Sequence, residues 1–132
     1  MRYRVVQMKW ITRSFVREHR DHIFLFGDNL ARRGFGGQAA QMRAEPNAIG
    51  IPTKKLPSNT EEAFFTDAEF EQNKAAIDRA FESLSRMSSA VEQVVVMPAD
   101  GLGTGRAQLE SRAPLTFSYL QKCLRNLSTQ ET

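Results

Sequence analysis

Apolar positions fall into short runs separated by polar or glycine-rich passages. "RYRVVQM" (2–8) carries strand-forming residues and predicts a first strand, suited to a sheet edge. "HIFLF" (22–26) is nearly continuous in apolar residues, the pattern of a strand buried on both faces. "AIGIP" (48–52) predicts a further short strand ended by proline, and "EQVVVMPA" (92–99) another buried one.

Between the strands the period changes. "TRSFVREHRD" (12–21) is short and helical or irregular, "GGQAAQMRA" (36–44) is rich in helix formers, and residues 53–65 read as a loop. Thr66 and Glu69 fit a capping box. Phe70, Ile77, Phe81 and Leu84 then recur at helical spacing through residue 87, giving one apolar face. A second glycine-rich connection, "DGLGTGRAQLESRA" (100–113), precedes Pro114, which suits a first helical position. Leu115 to Leu127 close the chain as an amphipathic helix, with a frayed tail over about 128–132. No repeat, low-complexity tract or linker divides residues 1–132. Buried strands alternating with helices predict a single three-layer α/β/α domain with a mixed, largely parallel sheet.

Composition narrows the classes. At 132 residues, with 41% hydrophobic and 25% charged residues, the chain has the make-up of one globular domain with a real core. No apolar run approaches a membrane span, so no membrane partner is expected. "MRYRVVQMKW" has no long apolar stretch of the secretory kind, and a cytoplasmic protein is expected. The one cysteine, Cys123, excludes an intramolecular disulfide and falls in an apolar helical pattern, where it reads as packing. Met42, Met87 and Met97 read as core filler. His19 and His22 have no cysteine or carboxylate cluster to join them, so no metal site is expected, and no cofactor is implied. The net charge of +3 is no nucleic-acid footprint by itself. Arg32, Arg33, Arg43, Lys54, Lys55 and Arg106 nevertheless lie in or beside glycine-rich or proline-bounded segments, either as solvated loop charge or as anion contacts.

Ligands of open α/β sheets bind beyond the carboxyl ends of the strands. Three segments follow strands directly: "GDNLARRGFGG" (27–37), "PTKKLPSN" (52–59) and "PADGLGTGR" (98–106). If the strands are parallel, all three gather at one edge. Gly34, Gly36 and Gly37 precede one predicted helix, and Gly101, Gly103 and Gly105 precede another. Successive amides in such turns form anion-binding concavities, strengthened where a helix begins, and two of them suit a diphosphate. The plainer alternative is that these glycines only serve tight turns. "GFGG" is not the G-x-G-x-x-G fingerprint, and "GLGTGR" lacks the Lys-Ser/Thr of a P-loop. Asp28 and Asn29, where the strand opens into its loop, are candidates for ribose or adenine contacts, or for turn and cap roles.

With these segments in place the chain resembles a macrodomain, the ADP-ribose-binding α/β/α fold. The likeness is to the branch of the DNA ADP-ribosyl glycohydrolase antitoxin and the terminal ADP-ribose protein glycohydrolase. It rests on "DNLARRGFGGQAAQMR", "AIGIPTKK", the helix at 66–87 and "VVVMPADGLGTG", and covers about residues 22 to 127. The resemblance implies Asn29 near the distal ribose and Gly34 to Gly37 near the diphosphate; Gln38, next in the chain, is a further ligand-binding candidate. It implies that Gly103, Thr104 and Gly105 close over the phosphates, with Arg106 beside them as a candidate to neutralise phosphate charge. Lys54, directly after Thr53, falls on the branch's catalytic lysine. Burial and cationic neighbours such as Lys55 would lower its pKa, freeing the amine to attack an anomeric carbon or to position the group leaving it; otherwise Lys54 is a phosphate-binding or solvent-exposed cation.

One departure concerns the acid–base partner. Part of the branch has a carboxylate after the second glycine loop, whereas "GTGRAQLE" offers Arg106 and Ala107 first. Asp100 before the loop and Glu110 after it are the candidates. Three readings stay open: a hydrolase of ADP-ribosylated nucleic acid or protein, a non-catalytic ADP-ribose or nucleotide module, and a small nucleic-acid-binding protein. In the last, Arg32, Arg33, Arg43 and Lys55 contact phosphates and Phe35 stacks on a base.

Overall fold

The computed structural model of the chain describes residues 2–88 and 91–129. Strands β1 (Arg2–Met8), β2 (Ile23–Asn29), β3 (Ala48–Lys54) and β4 (Glu92–Pro98) form one sheet in the order β1-β4-β2-β3. The sheet, expected to be mixed and largely parallel, is parallel in each of its pairs. Each connection between consecutive strands carries a helix, which returns the chain to the same end before the next strand begins. The antiparallel contact among the described residues is an isolated bridge between Lys54 and Phe64.

The helices are α1 (Arg13–Glu18), α2 (Ala39–Met42), α3 (Phe70–Met87), α4 (Leu109–Arg112) and α5 (Pro114–Thr129). Alternation along the strands sorts them into two layers. Ile23 and Leu25 of β2 pack with Ile77 and Leu84 of α3 and with Leu120 and Leu124 of α5. Phe24 and Phe26 of the same strand pack on the other face, with Val16 of α1 and Met42 of α2. The run "HIFLF" is therefore apolar throughout because both of its faces are covered. Burying each of the large side chains contributes about 1.5–3 kcal/mol. Connections β1 to β2 and β2 to β3 run one way across the sheet, and α1 and α2 share a face; the return from β3 to β4 puts α3 on the other. The single hand of parallel crossovers requires that arrangement.

Three local expectations are corrected. The capping box does not form: Thr66 Oγ1 donates to the Glu69 carboxylate rather than bonding an amide, and Lys55 Nζ pairs with that carboxylate. A short 3-10 turn at Asp67–Glu69 intervenes before α3. Met87 is 37% exposed, past the point where the apolar face of α3 meets the core, unlike Met42 and Met97. Of the tail expected to fray over 128–132, positions 128 and 129 still belong to α5 and positions 130–132 lie outside the described residues.

α5 begins at Pro114, as its sequence predicts, but its cap comes from elsewhere. The Leu115 and Thr116 amides donate to the Asp67 carboxylate at 2.9 and 3.2 Å. Cys123 is half-buried against the main core, and burial pushes its thiol pKa up, as packing cysteines do. No helix among the described residues is long and apolar enough to cross a membrane.

Candidate functional site

β2, β3 and β4 all end at one rim of the sheet. The chain leaves β2 toward the α1–α2 face and leaves its two neighbours, β3 and β4, toward the α3–α5 face. Divergence of that kind opens a crevice, here a cavity of about 370 Å³, within the range of small-molecule sites. Asp28, Asn29, Gly34, Gly36, Gly37 and Gln38 line it from the first loop, and Thr53 and Lys54 from the end of β3. Asp100, Gly103, Thr104, Gly105 and Arg106 line it from the third. Glu110 is not brought to the cavity. Leu109 is the buried residue of the one-turn helix α4, so the next position points to solvent.

The loops interlock through close backbone approach. Arg106 Nη1 lies only 2.9 Å from where a Cβ on Gly36 would stand. Gly103, at φ +79°, has its Cβ position 2.8 Å from Leu109 Cδ2 and 3.4 Å from Thr53 Cγ2. Among the described residues, no amide of positions 33–38 or 102–107 donates a hydrogen bond within the protein. These are two runs of free donors at one cavity, the arrangement that binds oxyanions. The helical contribution expected at both loops is small, because α2 and α4 are only four residues long.

Two buried acceptors are unpartnered here: Asn29 Oδ1 and Gln38 Oε1. Asn29 Nδ2 donates to the Arg33 carbonyl at 2.7 Å, which fixes the amide's orientation and leaves its oxygen as the open end. Asp28 is engaged otherwise. Its carboxylate accepts Arg43 Nη2 at 2.5 Å, Arg32 Nη1 at 3.1 Å and the Asn29 amide at 2.8 Å. Its buried charge thereby organises the first loop, leaving little acceptor capacity for a ligand. Thr104 likewise spends its hydroxyl on the Asp100 carbonyl at 2.8 Å.

Lys54 owes its position to an irregularity. Asp28 pairs with Pro52 but Asn29 pairs with Lys54, so Thr53 is an extra residue on β3. Such bulges re-aim the side chains beside them. The Lys54 carbonyl accepts the Leu30 amide at 3.0 Å, and the bridge to Phe64 holds its other side. Its Nζ donates to the Ser58 carbonyl at 2.6 Å and lies 4.8 Å from the centre of the Phe64 ring. Burial lowers the pKa of this 8%-exposed lysine, and the charges of Arg106 and Arg112 lower it further. Lys55, expected to crowd it, is paired with Glu69 instead. Arg112 stacks on the same Phe64 ring at 3.7 Å, an influence from 58 positions away that no local pattern announces.

Lys9 and Pro57 also line the cavity and carried no signal in the sequence. Asp21 was passed over as well: its carboxylate joins His19 and His22 in one cluster of ligand atoms. No curated protein and no solved structure matches the chain. A family of unknown function, DUF7831, matches it over residues 6–123, a span that holds every residue of the cavity, and the chain belongs to that family.

Proposed function

We propose that the chain binds ADP-ribose or a closely related nucleotide in this cavity and hydrolyses an ADP-ribosyl linkage on nucleic acid or protein. The observation that carries the reading is the meeting, in one cavity, of two runs of free amides, two unpartnered acceptors and a desolvated amine. The amide runs and Arg106 take the diphosphate. Asn29 Oδ1 and Gln38 Oε1 accept from ribose hydroxyls, the donors such a ligand supplies. The likeness of segment order to macrodomains supports the same ligand.

In the hydrolytic step the neutral Lys54 amine attacks the anomeric carbon, and the linkage breaks with its electron pair on the leaving atom. Water then displaces the amine and releases free ADP-ribose. Asp100, the cavity carboxylate not tied up by arginine, accepts the proton that water gives up. A binding module without turnover is the second reading, favoured by the Lys54 amine being tethered to the Ser58 carbonyl.

Titration calorimetry with ADP-ribose, run beside release assays on ADP-ribosylated DNA and protein, separates the two. Binding plus release that Lys54→Ala abolishes supports the enzyme. Binding without release supports the module. No heat with ADP-ribose or other adenine nucleotides removes both.

A further inference from the structure

We propose that the turn between α1 and β2 is a binding site for a divalent cation of the zinc class, with His19, Asp21 and His22 as its ligands. The three residues each offer a donor atom, and these atoms lie within 4.8 Å of one another. His22 Nδ1 is buried and makes no hydrogen bond, yet it stands 3.3 Å from Asp21 Oδ1. Ligand atoms sharing a tetrahedral zinc at bond lengths of about 2.0–2.1 Å are themselves about 3.3 Å apart. One edge of the coordination polyhedron is therefore already in place. Rotation of His19 by up to about 1.5 Å at the ring closes the others.

The turn is built to hold that geometry. Asn47, itself buried, donates through Nδ2 to the carbonyls of Val16, His19 and His22 at 3.0, 3.0 and 3.1 Å. Buried Gln93 donates to the Asp21 carbonyl at 2.8 Å, and the His22 amide donates back to the His19 carbonyl at 3.0 Å. Two buried amide side chains thus pin the backbone on either side of all three ligands. The imidazoles pack against rings, His19 with Phe15 at 4.2 Å between centroids and His22 with Phe24 at 6.3 Å. The backbone bonds fix where each ligand side chain starts, and the ring contacts limit how far the imidazoles can turn.

Ligand chemistry selects the ion. Two imidazoles and one carboxylate suit zinc, nickel or copper and disfavour magnesium and calcium, which require oxygen sets. Arg17 and Arg20, the nearest cations in sequence, are turned onto the Glu45 carboxylate, leaving the Asp21 carboxylate to the metal. Three protein ligands leave a fourth position for water. The turn precedes β2 while the nucleotide cavity follows it, roughly 20 Å away along the strand, and the two sites stand or fall separately.

The chain's two histidines are the two proposed imidazole ligands, so ring resonances of the chelator-treated wild-type protein report the site directly. Zinc chloride is expected to shift both and to saturate at a single equivalent, with magnesium chloride shifting neither. Calorimetric zinc affinity is expected to fall at least about tenfold in His22→Ala and in Asp21→Asn. Unmoved resonances, or zinc affinity unchanged in a His22→Ala protein that keeps its circular dichroism spectrum, would overturn the assignment. If that variant does not fold, the wild-type resonances decide it alone.

Discussion

Arg43 Nη2 closes on the buried carboxylate of Asp28 with a 2.5 Å contact and also donates to the Arg33 carbonyl at 3.2 Å, while Nε donates to the Gly34 carbonyl at 2.7 Å. One guanidinium thus ties the end of β2 to the glycine-rich loop that follows it. Removing it leaves the buried Asp28 charge to Arg32, a half-exposed and weaker partner, and to the Asn29 amide. Arg43→Ala is expected to lower stability by about 3 kcal/mol in urea titration and to weaken ADP-ribose binding as the loop loosens. Arg43→Lys keeps the charge but not the fork, and is expected to recover only part of either loss.

Lys54 yields a pH signature. Its pKa is lowered from the ordinary 10.5 by burial, then by Arg106 and Arg112. Release of ADP-ribose is expected to rise with pH on a limb lying below 10.5, where an ordinary lysine would still be protonated. Stability moves the same way. The unfolded chain holds this proton more tightly, so the fold gains stability as pH rises from the lowered value toward 10.5. Lys54→Met is expected to abolish release and flatten that alkaline slope in thermal melts.

Gly103 and Gly105 form a matched pair for substitution. At Gly103 a Cβ would meet Leu109 Cδ2 at 2.8 Å and Leu109 Cβ at 3.1 Å; at Gly105, φ +41°, nothing lies within 4 Å. Gly105→Ala therefore incurs only the left-handed backbone penalty of about 1–2 kcal/mol. Gly103→Ala adds a collision with a buried side chain and is expected to cost more in urea titration.

Acid sensitivity is expected to centre on Glu45. Burial works against its charge, but Arg13, Arg20 and Arg17 outweigh it and hold its pKa below 4.5. Its stabilising contribution is complete above 4.5 and is lost as pH falls through the lowered folded value. Glu45→Gln is expected to reduce stability at neutral pH and to shrink the loss seen on acidification, followed by circular dichroism.

The layout of the fold was legible because its strands are short apolar blocks with both faces covered, as Phe24 and Leu25 show by packing in opposite layers. The convergence of the glycine loops followed from parallel strand direction alone. Details set by distant partners were not legible. Asp67 caps a helix beginning 47 positions later, and Phe64 with Arg112 defines the surroundings of Lys54. Asp28 looks from its sequence like a ligand contact, but its acceptors are filled by arginines that only the tertiary structure brings near. Thr53 as a bulge has no local mark, since its neighbours read as an ordinary strand end. The histidine cluster was missed because Asp21 reads as a turn residue until the turn's geometry is seen.

Among the described residues β1 pairs with β4 alone, Arg2 standing opposite Glu92 and Met8 opposite Pro98. Once made, β1 therefore waits for that hydrogen-bonding neighbour until some ninety further residues have followed. During synthesis its amides and carbonyls stay open to water or to a chaperone, while β2 and β3 can already dock side by side. Translation speed through positions 9 to 98 thus governs how long that segment stays exposed to aggregation.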